Sequence, residues 1–304
     1  MSERAVLHSI LVGVDGSTEN HAAVHWAAAE ASRAGCPLVL LAVSDDLDAT
    51  SRHAGALLTQ SRQALAEADA DVRQSQPEVF VHAELLHGPP DQVIVDRGGD
   101  AALIVVGKRG HGAFSHFLVG STSVMVVART SARVAVVPEP WKQADHARDP
   151  IVLGIDPWRP EDGPALFALR RAALLDVPLV VAHGWEVPAI SAWDAIDVGE
   201  MSARWADEAE RELDRLLDSW HVQFPEVVLR KHHVCNHPAT AVLDAAEDAQ
   251  LVVLGRRPSV RNRLGFGSVI RGVLHYSHCP VLVIPETTDP MTEQLPDDPD
   301  LCVT

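Results

Sequence analysis

The chain carries one unit written twice, in the same order, and this repetition limits its fold more than any other feature. SILVGVDGS, ending at Ser17, corresponds to PIVLGIDPW, ending at Trp158, and PLVLLAVS from Pro37 corresponds to PLVVAHGW from Pro178. DAALIVVGKRG from Asp100 matches DAQLVVLGRRP from Asp248, and SARVAVVPEP from Ser131 matches HCPVLVIPET from His278. Spacings agree: Asp15 to Asp156 is 156 − 15 = 141 positions, and Gly107 to Gly255 is 255 − 107 = 148. With 304 residues there is chain enough for two domains that each bury a core. The expected units are 1–143 and 149–287, joined at the polar segment WKQADHARDP around Ala144. Residues 288–304 are acidic and contain proline, and are expected to be a disordered tail.

Within each unit, short Val/Ile/Leu runs alternate with longer alanine-rich segments of helical period, the pattern of a parallel sheet covered on both faces. In the first unit strands are predicted near 8–14, 38–43, 79–85, 102–106 and 133–137. A first helix is predicted to open at Ser17 or Thr18, to turn Ala23, Trp26, Ala27 and Ala31 to one face, and to stop at Gly35 before Pro37. A second runs through ALLTQSRQALAEADADVRQ, and a third follows Gly88-Pro89-Pro90. The fold class is α/β: two tandem doubly wound domains, each a five-stranded parallel sheet flanked by helices, Rossmann-like in plan.

Such sheets bind ligands at the carboxyl ends of the strands where the winding reverses, between strands one and four. Asp15 ends strand one, with Gly16 after it, and Gly107 ends strand four. The loop GKRGHGAFSHFLVGST is glycine-rich without the lysine-hydroxyl ending of a P-loop. Gly107 allows close backbone approach, and Gly110 can adopt positive φ without a Cβ clash. Gly120 and Ser121 open a helix, so the N–H groups and hydroxyls of Ser121, Thr122 and Ser123 form an anion seat at its positive end. Lys108 and Arg109, with His111 and His116, add positive charge, and the Asp15 carboxylate is suited to accept hydrogen bonds from ribose hydroxyls.

The combination of ILVGVDGS, GKRGHGAFSHFLVGS and ARVAVVPE resembles the universal stress protein family, in its ATP-binding, tandem two-domain form. The resemblance covers both units. It implies the adenine nucleotide alpha hydrolase-like fold, with ATP, alone or with Mg²⁺, lying across strands one and four. It implies Asp15 at the ribose, backbone near Val43 at adenine, and Gly107, Gly110, Gly120 and Ser121 at ribose and phosphates. It further implies a dimerising fifth strand, pairing the segments Val134–Val137 and Val281–Ile284, a homodimer, and a regulatory protein partner in a stress response.

The second unit departs from the pattern. Pro258 stands where the second glycine belongs, and a proline there removes an N–H and fixes φ. Asp156, Gly255, Arg256 and the helix-opening Gly267-Ser268 remain, and Arg257, Arg261 and Arg263 add charge. A second site that binds differently or more weakly is expected.

A net charge of −17 argues against broad contact with nucleic acid, and no apolar run reaches membrane-spanning length. The N-terminus enters a strand pattern directly, which places the protein in the cytoplasm by expectation. The cysteines lack CxxC spacing, so reduced thiols are expected in place of disulfides or zinc. His232, His233 and His237, and His275 with His278, are read as structural or surface residues. Enzymatic readings fare poorly. VGVDGST is similar to the DxDGT opening of haloacid-dehalogenase-type phosphatases, yet Gly13 stands at the nucleophile position. There is no GxSxG elbow. At most slow ATP hydrolysis is expected, and a nucleotide-free interaction protein is disfavoured by the intact first loop.

Overall fold

The computed structural model describes residues 8–17, 20–44, 54–110, 119–186, 198–257 and 266–286. The His111, His116, Pro258, Arg261 and Arg263 positions and the acidic tail lie outside the described residues, as does Thr18. The first repeat runs β1 (Ile10–Val14), α1 (His21–Ala34), β2 (Leu38–Ser44), α2 (Ala54–Ser75), β3 (Val81–His87), α3 (Pro90–Arg97), β4 (Leu103–Gly107), α4 (Ser121–Arg129) and β5 (Val134–Val137). The second runs β6 (Ile151–Gly154), α5 (Asp162–Leu175), β7 (Leu179–Trp185), α6 (Val198–Gln223), β8 (Leu229–Cys235), α7 (Pro238–Ala245), β9 (Leu251–Arg256), α8 (Ser268–Tyr276) and β10 (Val281–Pro285). Between them, a short 3₁₀ turn at Gln143–His146 is pinned by Trp141, whose buried ring stacks on His146 at 4.1 Å between centroids.

The strands form one ten-stranded sheet in the order β3-β2-β1-β4-β5-β10-β9-β6-β7-β8. Each half is parallel throughout, and the halves meet where β5 pairs antiparallel with β10. The register there is reciprocal: Val136 faces Val281, Ala135 faces Leu282, and Val134 faces Val283. Ala135 and Leu282 are equivalent in the repeat (282 − 135 = 147, as for Ser131 and His278), so a pseudo-twofold axis passes between them. Both fifth strands are thereby consumed within the chain, leaving β3 and β8 as the sheet's outer edges.

Helices on both faces explain why the central strands are apolar from end to end, with every residue of β4, β5 and β10 buried. Each fully buried Val, Ile or Leu contributes about 1.5–3 kcal/mol of transfer free energy. The predicted inward face of α1, Ala23, Trp26, Ala27 and Ala31, is buried. Its start is later than Ser17, however. Ser17 instead uses its N–H and hydroxyl to bond Asp15 Oδ1 (2.9 and 2.7 Å), and Asn20, just ahead of the helix, donates to Gly13 O at 2.9 Å.

Candidate functional site

In the first repeat, β1 and β4 lie side by side in register, Ile10 beside Leu103 and Val12 beside Val105, so their ends open onto one crevice. The Asx-type turn at Asp15 holds its carboxylate just beyond β1. Across the crevice, a Cβ on Gly110 would collide with Asp15 Oδ2. Gly110 is therefore needed for close approach. It does not use the left-handed backbone open to a glycine, since positive-φ glycines among the described residues are Gly16, Gly35 and Gly88.

The loop closes tightly before α4. Gly120 N donates to Lys108 O at 2.8 Å, Lys108 N donates to Val137 O at 2.7 Å, and Ser123 Oγ donates to Gly107 O at 2.6 Å. Gly120 immediately precedes the helix in extended backbone, φ −68° and ψ 147°, so the amides of Ser121, Thr122 and Ser123 form a first turn without intrahelical acceptors. Of the three hydroxyls expected in the anion seat, that of the buried Ser123 is committed to the loop, while Ser121 is exposed and Thr122 half-buried. Val43 lies one residue beyond the β1 pairing, which ends at Val14 beside Ala42, so the β2 backbone there borders the crevice.

Two residues expected in the binding sites have their side-chain cations committed elsewhere. Lys108 turns away from its own crevice and donates from Nζ to Ser277 O at 2.8 Å, just past the end of α8 in the other repeat. Arg256 does the same in reverse, bonding Ala128 O at 2.7 Å and also Thr130 O, at the end of α4. The two residues are equivalent (256 − 108 = 148), as are the two helix ends, where uncompensated carbonyls and the negative dipole end favour a cation. Burial, with Arg109 adding repulsion, pulls the Lys108 pKa down to about 8. These cations tie the halves together. Exposed Arg109 remains at the mouth of the first crevice.

The second crevice has the same frame with different furniture. Trp158 N bonds Asp156 Oδ1 at 3.2 Å, as Ser17 does Asp15. Over Gly255, where the first repeat needs open backbone, lies the carboxylate of Glu161; a Cβ on Gly255 would collide with it. Glu161 Oε1 accepts from Arg257 Nε at 2.7 Å, and Arg257 Nη1 stands 3.7 Å from Asp156. Burial pushes the Glu161 pKa up, against the opposing pull of Arg257. Gly267 and Ser268 still open α8, with nothing within 4 Å of a Cβ built on Gly267. Sequence reading missed Glu161, although it occupies the position of Asn20 (161 − 141 = 20) and the repeat offset was the signal that could have found it.

His233 and His237 also acquire specific places. The His233 ring stacks on His183 at 5.3 Å, and His237 accepts from Ala239 N at 3.2 Å at the start of α7. Among the described residues no cluster of His, Cys, Asp or Glu could hold a metal ion, and no helix is long and apolar enough to cross a membrane.

Fold and crevices define a tandem, doubly wound α/β protein with a glycine-lined crevice at the strand ends of its first half and a remodelled one in its second. The chain belongs to the universal stress protein family, whose sequence profile matches residues 7–138 and again 147–285. It is 31% identical to universal stress protein Rv1996 of Mycobacterium tuberculosis, over 95% of this chain and 99% of that protein. A universal stress protein of Mycolicibacterium smegmatis is also 31% identical, with 93% of this chain and 99% of the relative covered. The crystal structure of a universal stress protein from Archaeoglobus fulgidus superposes with a TM-score of 0.64 at 18% identity, covering 92% of this chain and 98% of that one, a likeness of fold.

Proposed function

We propose that the first crevice binds an adenine nucleotide, ATP with or without Mg²⁺, and that its occupancy serves as a signal in a cytoplasmic stress response. The observation that carries this reading is the apposition of the Asp15 carboxylate and Gly110 across the β1/β4 crevice, beside the open first turn of α4. A ribose resting beside this contact would offer hydroxyls to Asp15. Phosphates would follow the bare backbone of Gly107, Gly110 and Gly120 to the amides of Ser121 and Thr122, where the helix dipole favours negative charge. Adenine would lie against the β2 backbone at Val43. Binding without turnover is the simplest reading, because the described crevice offers no group arranged as a general base toward a γ-phosphate.

The second crevice is a degenerate copy in this reading, since Glu161 brings negative charge over the Gly255 backbone. A regulatory protein partner belongs to the same proposal. A homodimer would need a surface other than the fifth strands, both already paired inside the chain.

The test is to denature freshly purified protein, identify released small molecules by mass spectrometry, and titrate nucleotide-free protein with ATP. ATP, ADP or AMP in the extract, with binding abolished by Asp15→Ala, is the expected result. A flavin in the extract, or ATP affinity unchanged in Asp15→Ala, would overturn the assignment.

A further inference from the structure

We propose that the second crevice is a binding site for a planar organic cation carrying N–H donors, of the amidinium or guanidinium class, and that it disfavours polyphosphates. The cavity is large, about 1430 Å³, which exceeds the room a drug-sized ligand needs. Its walls differ from those of the first crevice at one equivalent position after another. Gly16-Ser17 becomes Pro157-Trp158, Ala42 becomes His183, and Ser44 becomes Trp185. In the helix-opening turn Ser268 keeps the place of Ser121, while Thr122-Ser123 becomes Val269-Ile270, so the Thr122 hydroxyl, free of the loop in the first repeat, is replaced by hydrocarbon.

Charge points the same way. Asp156, Glu161, Glu186, Glu208 and Glu286 line the cavity against Arg159 and Arg257, so the described lining holds five carboxylates and two guanidiniums. Lining that bears net negative charge attracts a cation and repels the triphosphate of ATP.

Two buried acceptors at this wall lack partners. Glu161 Oε1 is bonded to Arg257, whereas Oε2 has no hydrogen-bond partner. His183 is only 6% exposed. Its Nδ1 lies 3.1 Å from Ile155 O, a carbonyl that can only accept, so the proton sits on Nδ1 and Nε2 is left as a lone-pair acceptor, also without a partner. Burial holds the His183 pKa below its ordinary value, so the ring stays neutral at pH 7. An unsatisfied buried acceptor is costly, and a ligand N–H that reaches these atoms as the wall adjusts around it supplies what they lack. A phosphate supplies further acceptors only.

The rings complete the complement. Trp185 and His233 stack at 6.4 Å, His233 and His183 at 5.3 Å, and Trp158 meets His183 edge-on at 5.5 Å. Planar cations are held by such faces through cation–π attraction.

No residue of the first crevice enters this proposal, so it stands or falls apart from nucleotide binding there. The test is calorimetric titration of the full chain, and of its Asp15→Ala variant, with benzamidine, phenyltrimethylammonium and ATP. Benzamidine should bind saturably and equally to both proteins. Phenyltrimethylammonium, with the same ring and charge but no N–H, should bind about tenfold more weakly. Glu161→Gln should weaken benzamidine about tenfold, and Trp158→Ala about threefold or more. Absence of saturable benzamidine binding overturns the proposal. So does affinity unchanged in Trp158→Ala, a half-exposed site whose replacement leaves the fold intact even where Glu161→Gln does not. ATP displacing benzamidine from the Asp15→Ala variant would overturn it equally.

Discussion

Glu30 on α1 and Arg171 on α5 stand at the same position of the two repeats (171 − 30 = 141), and their side chains meet across the pseudo-twofold axis. Arg171 Nη2 and Nη1 donate to Glu30 Oε2 and Oε1 at 2.6 and 3.1 Å, and the residues are 6% and 4% exposed. Burial pushes the Glu30 carboxyl up, but Arg171 and Arg33 together bring it below its ordinary value. The Arg171 guanidinium also lies 5.3 Å from the Phe167 ring centroid. In a dimer of two first repeats the same position would set Glu30 against Glu30, and in a dimer of two second repeats Arg171 against Arg171. The pair therefore selects the mixed pairing that the tandem chain uses.

Glu30→Met should destabilise the protein by about 3–5 kcal/mol, because it strands a buried guanidinium. Glu30→Met with Arg171→Met should recover most of that loss, hydrocarbon replacing a desolvated ion pair. Urea denaturation of the three proteins measures this, and a double variant as unstable as the single one would contradict the argument.

Lys108 gives stability a pH dependence of definite sign. Its pKa is about 8 when folded against 10.5 as an ordinary lysine, so between those values the unfolded chain binds more protons. Stability from this residue rises across that window as pH rises, and is level below it. Comparing the wild type with Lys108→Met by urea denaturation should isolate the rise, which the variant lacks.

Glu161 acts in the opposite sense. Its folded pKa is raised by burial above the ordinary 4.5, so the folded chain holds this proton more firmly. Stability falls as pH climbs from that ordinary value through the raised one. Glu161→Gln should remove the fall, visible as a flatter curve of melting temperature against pH over the mildly acidic range.

Gly110→Ala and Gly120→Ala should separate two causes of lost nucleotide affinity. A Cβ at Gly110 runs into Asp15 Oδ2 and must displace that carboxylate. At Gly120 the nearest atom to a Cβ is Lys108 O at 3.6 Å, an ordinary contact, and φ is −68°. Gly120→Ala should therefore leave stability within about 0.5 kcal/mol of wild type and weaken ATP by obstructing phosphate alone. Gly110→Ala should weaken ATP about tenfold or more through the moved carboxylate. Calorimetry beside thermal melts distinguishes them, and undiminished ATP binding in both would count against the crevice as the nucleotide site.

The repeat, the strand and helix order, and the convergence of Asp15 with the loop after β4 were legible because each follows from local periodicity or from the winding rule for parallel sheets. Covering the sheet on both faces forces the strands to be apolar throughout, and that pattern survives in one dimension. Side-chain destinations were not legible. Lys108 and Arg256 sit beside glycines and look like phosphate ligands, yet a cation goes where the surrounding field is most negative, here the carbonyl ends of α8 and α4. Those helix ends lie 169 and 128 positions away along the chain. Glu161 over Gly255, and Glu30 against Arg171, are likewise contacts that arise only once two halves of similar shape are folded against each other. Sequence alone thus determined the frame, since a frame is set by which residues repeat and how often. Only the tertiary structure decided which charges face each crevice, because long side chains answer to three-dimensional neighbours that no spacing records.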